Sequence, residues 1–173
     1  YSFLFKDSPS QLFTMRQFNQ SYLSSYRLFA KGLNSVIKKK QILDMIQLGM
    51  HSLFFMPLTH EEGHRSILTV NQIGSISQPF FNKQGAAYVN GVTDRSLKDL
   101  RDNDLPDYIR LHTGGLESDY MLTRRVETIG SFDLDDFNHY KWEYWSRKAV
   151  IVQYLVSGLF EFEAGIKEES NEL

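Results

Sequence analysis

The chain contains no cysteine. Disulfides, thiolate-held zinc and a thiol nucleophile are therefore excluded, and imidazole or carboxylate must supply any metal ligand. Proline and glycine are scarce, 4 and 11 in 173 residues, which argues against a linker-rich or disordered chain. No charge of one sign prevails. The net charge is −2, so no general electrostatic attraction to nucleic acid exists. Long apolar runs are also missing. The longest, from Ala149 to Phe160, is interrupted by Gln153, Ser157 and Gly158. It falls short of the roughly 18–20 residues of a membrane span, reads as a buried helix, and leaves no span expected within the chain.

Apolar residues make up 42% and charged residues 23%, the balance of one ordinary globular domain covering residues 1–173. Helical spacing of Leu12, Phe13, Met15, Phe18, Tyr22, Tyr26 and Phe29 predicts an N-terminal helix over about 10–31, broken at Gly32 and Asn34. A second helical stretch carries Val36, Ile37, Ile42, Leu43, Ile46 and Leu48, and Pro57 should kink or restart it. Between Val70 and Val92, short apolar pieces and turn residues predict a small hairpin or sheet. Thr93 or Asp94 should cap a short helix. A break is expected at Gly114-Gly115, with a new helix from Leu116. A last helix over about 132–161 should open on Asp133, Asp135 and Asp136 and bury Trp142, Trp145, Val150, Ile151, Tyr154, Leu155 and Phe160. The class is mainly α with a small β element (α+β), and residues 36–130 form its functional core. A chain opening at Tyr1 rather than methionine is what a processed (secreted or periplasmic) form or an excised fragment would show.

Residues 60–64 read His60-Glu61-Glu62-Gly63-His64. Residues four apart share one face of an α-helix, so His60 and His64 can grip one metal ion, with Glu61 beside it to accept a proton from a zinc-activated water. Composition alone would produce this string only on the order of 0.01 times in such a chain. Gly63 also carries information. Glycine inside a helix costs about 1 kcal/mol relative to alanine, so its presence predicts that something packs closely there, another helix being one candidate.

This His-Glu-x-x-His string resembles the active-site helix of the zincin superfamily of zinc metallopeptidases. The resemblance covers the motif helix and, loosely, residues 58–127. It implies a zincin-like helical domain, a resident zinc ion, and a peptide or protein substrate, its backbone held by an edge strand near Gly85 to Val89. The metzincin extension is absent, since Ile67 and Val70 occupy its glycine and third-histidine positions. A gluzincin-like organisation would take a glutamate from a second helix. Glu117, read as sharing an apolar face with Leu116, Tyr120 and Met121, is the candidate third ligand, and Asp119 falls to a supporting or surface position. His112 is an alternative third ligand or a hydrogen-bond donor to the reaction's oxyanion. Tyr120 is a second candidate donor. His51 and His139 fall outside the expected site, His139 at the surface.

Two other readings use the same residues: a zinc-binding helical domain without catalysis, and a metal-free helical interaction module in which the string is incidental.

Overall fold

A computed structural model describes residues 1–3, 14–78, 80 and 87–159, with side chains up to residue 156. The expected class holds: helices dominate, and one two-stranded antiparallel sheet accompanies them. Helix α1 spans Met15–Val36, and the Thr14 hydroxyl caps it by accepting the Gln17 N–H. It buries Tyr22, Leu23, Tyr26 and Ala30. The predicted break at Gly32 and Asn34 does not occur, because both sit on the exposed side, where nothing forces the chain to turn. Residues 10–13 of the predicted helix lie outside the described residues.

Helix α2 (Lys40–Met50), a wide π-turn (His51–Phe55) and α3 (Met56–Val70) form one continuous helical run. Pro57 lacks an N–H and its ring crowds the carbonyl four residues back. The π-turn absorbs this conflict: Met56 N–H reaches back five residues to the His51 carbonyl, opening the helix where the ring needs room. Strands β1 (Ile76–Gln78) and β2 (Tyr88–Asn90) pair with Ile76 opposite Asn90 and Gln78 opposite Tyr88. Of the expected substrate strand, Gly85 and Ala86 lie outside the described residues, while Tyr88 and Val89 belong to β2.

Helix α4 (Asp94–Asn103) is capped by Thr93, and α5 (Leu105–Ser131) by Asp104. Where a break was predicted at Gly114-Gly115, α5 runs through uninterrupted. The two glycines serve close packing against α3 instead of ending a helix. Asp133 then adopts a left-handed conformation (φ 49°), and a 3-10 turn at Phe137–His139 leads into α6 (Lys141–Leu159). The last helix thus begins beyond the three aspartates, which do not occupy its first turn.

Two apolar clusters hold the bundle. Tyr22, Tyr26 and Ala30 of α1 meet Leu122, Val126 and Ile129 of α5, with Tyr140 completing the group. Met15, Ile67, Leu68, Leu100 and Leu111 form the second, beneath the hairpin and α4. The predicted inner side of α6 is not the observed one. Glu143 and Arg147 are fully buried, while Trp145, Tyr154 and Leu155 are exposed, and Phe160 lies outside the described residues. Burial of the two charges is tolerable because Arg147 Nε donates to Glu143 Oε1 at 2.7 Å and Arg147 also pairs with Asp119. Among the described residues, one helix, Lys40–Val70, is long and apolar enough to cross a membrane by length and composition.

Asp135 ties the α5–α6 connection back to α1. It accepts from Arg27 Nη2 at 2.8 Å and Tyr140 Oη at 3.1 Å, and pairs with Lys31 Nζ at 3.0 Å. Burial raises its pKa, but the Arg27 and Lys31 hydrogen bonds outweigh this and hold it below the usual carboxylate range. The folded state therefore binds this proton more weakly than the unfolded chain. The stabilisation is complete above the ordinary value of 3.8 and is lost as pH falls below it. Asp135→Asn should lower stability at neutral pH by about 2 kcal/mol and flatten the acid limb of the stability profile. Urea unfolding at neutral and acidic pH measures both effects.

Candidate metal centre

The candidate site lies where α3 crosses α5. Gly63 and Gly114 bring the two backbones together. A Cβ on Gly63 would stand 2.8 Å from the Gly114 carbonyl carbon and nearer still to its oxygen. A Cβ on Gly114 would meet Gly63 O at 3.0 Å. Ser118, one turn further along α5, donates its hydroxyl to the Thr59 carbonyl at 2.9 Å and seals the crossing. The close packing predicted from Gly63 is therefore present, with α5 as the partner.

This crossing aligns both histidines of the motif. Their rings sit on one side of α3 with centroids 5.0 Å apart. His60 Nδ1 is 2.8 Å from Asp119 Oδ2, and His64 Nδ1 is 2.6 Å from the Leu111 carbonyl oxygen. A carboxylate and a carbonyl accept here, so each imidazole presents an Nδ1–H to its partner and turns Nε2 away from it. Burial lowers the His64 pKa, with nearby His60 and His112 adding to this against the Leu111 hydrogen bond, which favours its neutral, ligand-competent form. The His60 ring lies over Gly115. A Cβ there would be 2.5 Å from both Cδ2 and Cε1 and slightly nearer to Nε2. Such nearly equal distances place it over the ring face beside Nε2, out of line with the lone-pair direction.

Glu61 is buried, and among the described residues no hydrogen bond or ion pair holds its carboxylate. Burial raises its pKa, opposed by His60 and reinforced by Asp119. A carboxylate of this kind is poised to take a proton. Glu62, by contrast, is engaged on the outer side of α3 by Arg65 Nε at 2.8 Å and Ser77 Oγ at 2.6 Å.

The predicted third ligand is not brought in. Glu117 is gripped by Arg110 through two hydrogen bonds, 2.8 Å from Nε and 2.6 Å from Nη2, and faces away from the pair. The inward side of α5 is Leu111, Gly114, Gly115, Ser118, Asp119 and Leu122, one helical step away from the assumed apolar face. Asp119, fully buried, therefore occupies the place expected of Glu117. It contacts the first histidine and not the metal position. Tyr120 is exposed on the outer side of α5. His112 is exposed, packs edge-on against Tyr108 and lies close enough to influence His64. Among the described residues, no group of three His, Cys, Asp or Glu side chains converges as a metal site.

Three supporting groups lie outside the sequence reading. Arg147 pairs with Asp119 Oδ1, opposite the oxygen that meets His60. Glu143 secures Arg147, and in turn accepts from Tyr22 Oη at 2.7 Å and stands 2.8 Å from His51 Nδ1. The four-residue Glu143–Arg147 spacing is a helical ion-pair signal visible in the sequence. Tyr154 stacks on His60, with centroids 6.0 Å apart and planes 16° apart. Burial, Asp119 and Glu61 all raise its pKa and keep its hydroxyl protonated. Nothing in the spacing distinguishes it from an ordinary helix residue. His51, set aside in the sequence, is fully buried in the π-turn, and His139 lies partly covered beside Asp135.

No family model, curated protein or solved structure matches this chain.

The two glycines should respond differently to substitution. In Gly63→Ala the added methyl meets rigid backbone, so stability should fall by about 1–3 kcal/mol despite alanine's better helix propensity. In Gly115→Ala it meets the end of a side chain that can rotate. The fold should survive while His60 leaves Asp119. Thermal unfolding reads the first effect, and the histidine ¹⁵N shifts, which report the tautomer, read the second.

Proposed function

We propose that this chain is a zinc-dependent hydrolase of the zincin type, acting on peptide bonds. The observation that carries the reading is the paired Nδ1 anchoring of His60 and His64 on one helical face, which turns each Nε2 away from its partner. Metal-binding histidines characteristically use their second nitrogen in this way. The charge inventory agrees. Asp119 and Glu143 are buried carboxylates sharing one buried guanidinium, Arg147, with His51 beside Glu143, and a cation at the histidine pair would stand on the side of Asp119 that faces His60. The residues present thus fit zinc at two coordination positions.

Zinc, when bound, supplies Lewis acidity that polarises a scissile carbonyl and lowers the pKa of water towards 7. The chain's own groups account for the remaining roles. Glu61, loosely held and desolvated, accepts the proton of the attacking water and returns it to the departing amine. Asp119 fixes the His60 tautomer, and the Leu111 carbonyl fixes that of His64. Tyr154, protonated and lying against His60, is the donor best placed to stabilise negative charge on the carbonyl oxygen, with His112 at the rim.

Zinc quantification after zinc-replete expression should give near-stoichiometric metal in the wild type and a large loss in His64→Ala. Glu117→Ala should keep its metal. Asp119→Asn should weaken zinc affinity by about 10–100-fold. Glu61→Gln should retain zinc but reduce cleavage of a quenched-fluorescence peptide library by about 10²–10⁴-fold. Full zinc occupancy with no Glu61-dependent turnover would replace the hydrolase by a non-catalytic zinc-binding domain. Absence of zinc from the wild type would leave the metal-free interaction module.

A further inference from the structure

Two neighbouring helices of this bundle are built inside out. On α6 the fully buried side chains at the helix and its entry are Tyr140, Glu143 and Arg147. Trp145, Val152 and Val156, on the opposite side by the 100° helical step, are exposed, and from Val152 to Val156 every position is exposed, including Tyr154 on the phase of Glu143. The same inversion marks α2 and the π-turn. Gln47 and His51 point inward at 2% and 0% exposure, whereas Met45 and Leu53 point outward at 67% and 65%. The two helices pack side by side, joined by Trp142 Nε1 donating to Asp44 Oδ1 at 3.3 Å and by the Lys141–Asp44 ion pair. Their outward sides therefore lie next to one another, with Lys141 and Lys148 set among the apolar side chains of α6.

Scattered exposed apolar residues are ordinary. An apolar face set directly behind buried charges is not, because water disfavours both halves of the arrangement. Hydrocarbon favours both. Apolar groups outside with ionisable groups turned inward and paired to one another is the polarity of protein in contact with lipid. The continuous Lys40–Val70 run agrees: it is long and apolar enough to cross a membrane by length and composition, yet most of its apolar stretch is not buried by protein. Charge supplies the orientation. The exposed Lys38, Lys39 and Lys40 stand at the start of this run, where they complement anionic headgroups.

We propose that the outward face of α2, the π-turn and α6 seats in the interface of a lipid bilayer. Met45, Leu53, Trp145, Val152 and Val156 lie among the acyl chains, and Lys38–Lys40 lie at the phosphates. This assignment is independent of the metal at His60 and His64.

The test uses the whole chain with vesicles of phosphatidylcholine containing a minority of phosphatidylglycerol. Trp142→Phe leaves Trp145 as the single tryptophan. The chain should sediment with the vesicles, and Trp145 emission should shift to the blue and be quenched by lipids brominated on their acyl chains. The paired substitution Met45→Asp with Val152→Asp, at exposed positions that leave the fold intact by circular dichroism, should weaken partitioning at least about tenfold. Replacing Lys38–Lys40 by glutamine should weaken binding only to the anionic vesicles. Three results overturn the proposal: a chain that stays in the supernatant, binding without acyl-chain quenching that salt abolishes, or a dimer that the paired aspartates convert to monomer without any vesicle binding.

Discussion

The contact between Gly63 and Gly114 governs most of what is distinctive here. Two helices can approach this closely only if neither carries a side chain at the crossing, and the distances leave no room for one on either side. At that separation the Leu111 carbonyl comes within reach of His64, and Asp119 within reach of His60, although both acceptors belong to a different helix from the rings they hold. A wider crossing would free both imidazoles to rotate. The geometry of the histidine pair is therefore a property of two helices, and the motif alone does not set it.

Behind the crossing lies a chain of charged and polar groups that reaches α1 and the π-turn. His60, Asp119, Arg147 and Glu143 follow one another at hydrogen-bonding or ion-pairing distance, and Glu143 also meets His51 and Tyr22. Asp119 has two partners and Glu143 three, so removing Arg147 would leave both carboxylates buried without their shared cation. Such a network contributes little to stability relative to apolar packing of the same volume. Its value is directional: it gives Asp119 one orientation, and hence His60 one tautomer.

What the sequence disclosed and what it hid follow from the range of each interaction. The class, the hairpin, the Thr93 cap and the helix carrying the motif depend on local pattern, and they were legible. Gly63 was legible as a contact because an isolated helical glycine has a known cost. Gly114-Gly115 was misread as a break, because a pair of glycines signals a helix end and a close crossing equally well. Asp119 was legible as a supporting group, but Glu117 was misplaced because the rotational phase of α5 depends on its partner, and two residues of phase separate the contact with His60 from a salt bridge with Arg110. The inner side of α6 was misjudged for a related reason. Hydropathy points an apolar stripe towards the protein, but here Glu143 and Arg147 take the inner side, paired with each other and with Asp119.

The π-turn at His51–Phe55 has one further effect. Each of its hydrogen bonds spans five residues in place of four, so the helical run contains, in effect, one residue more than a regular helix of its length. That surplus rotates everything after it by about 100° relative to everything before it. His51 can therefore look towards α6 while the motif further along the same rod looks towards α5. Removing a single residue from this turn would leave every side chain of the motif unchanged and still aim its histidines at the wrong neighbour.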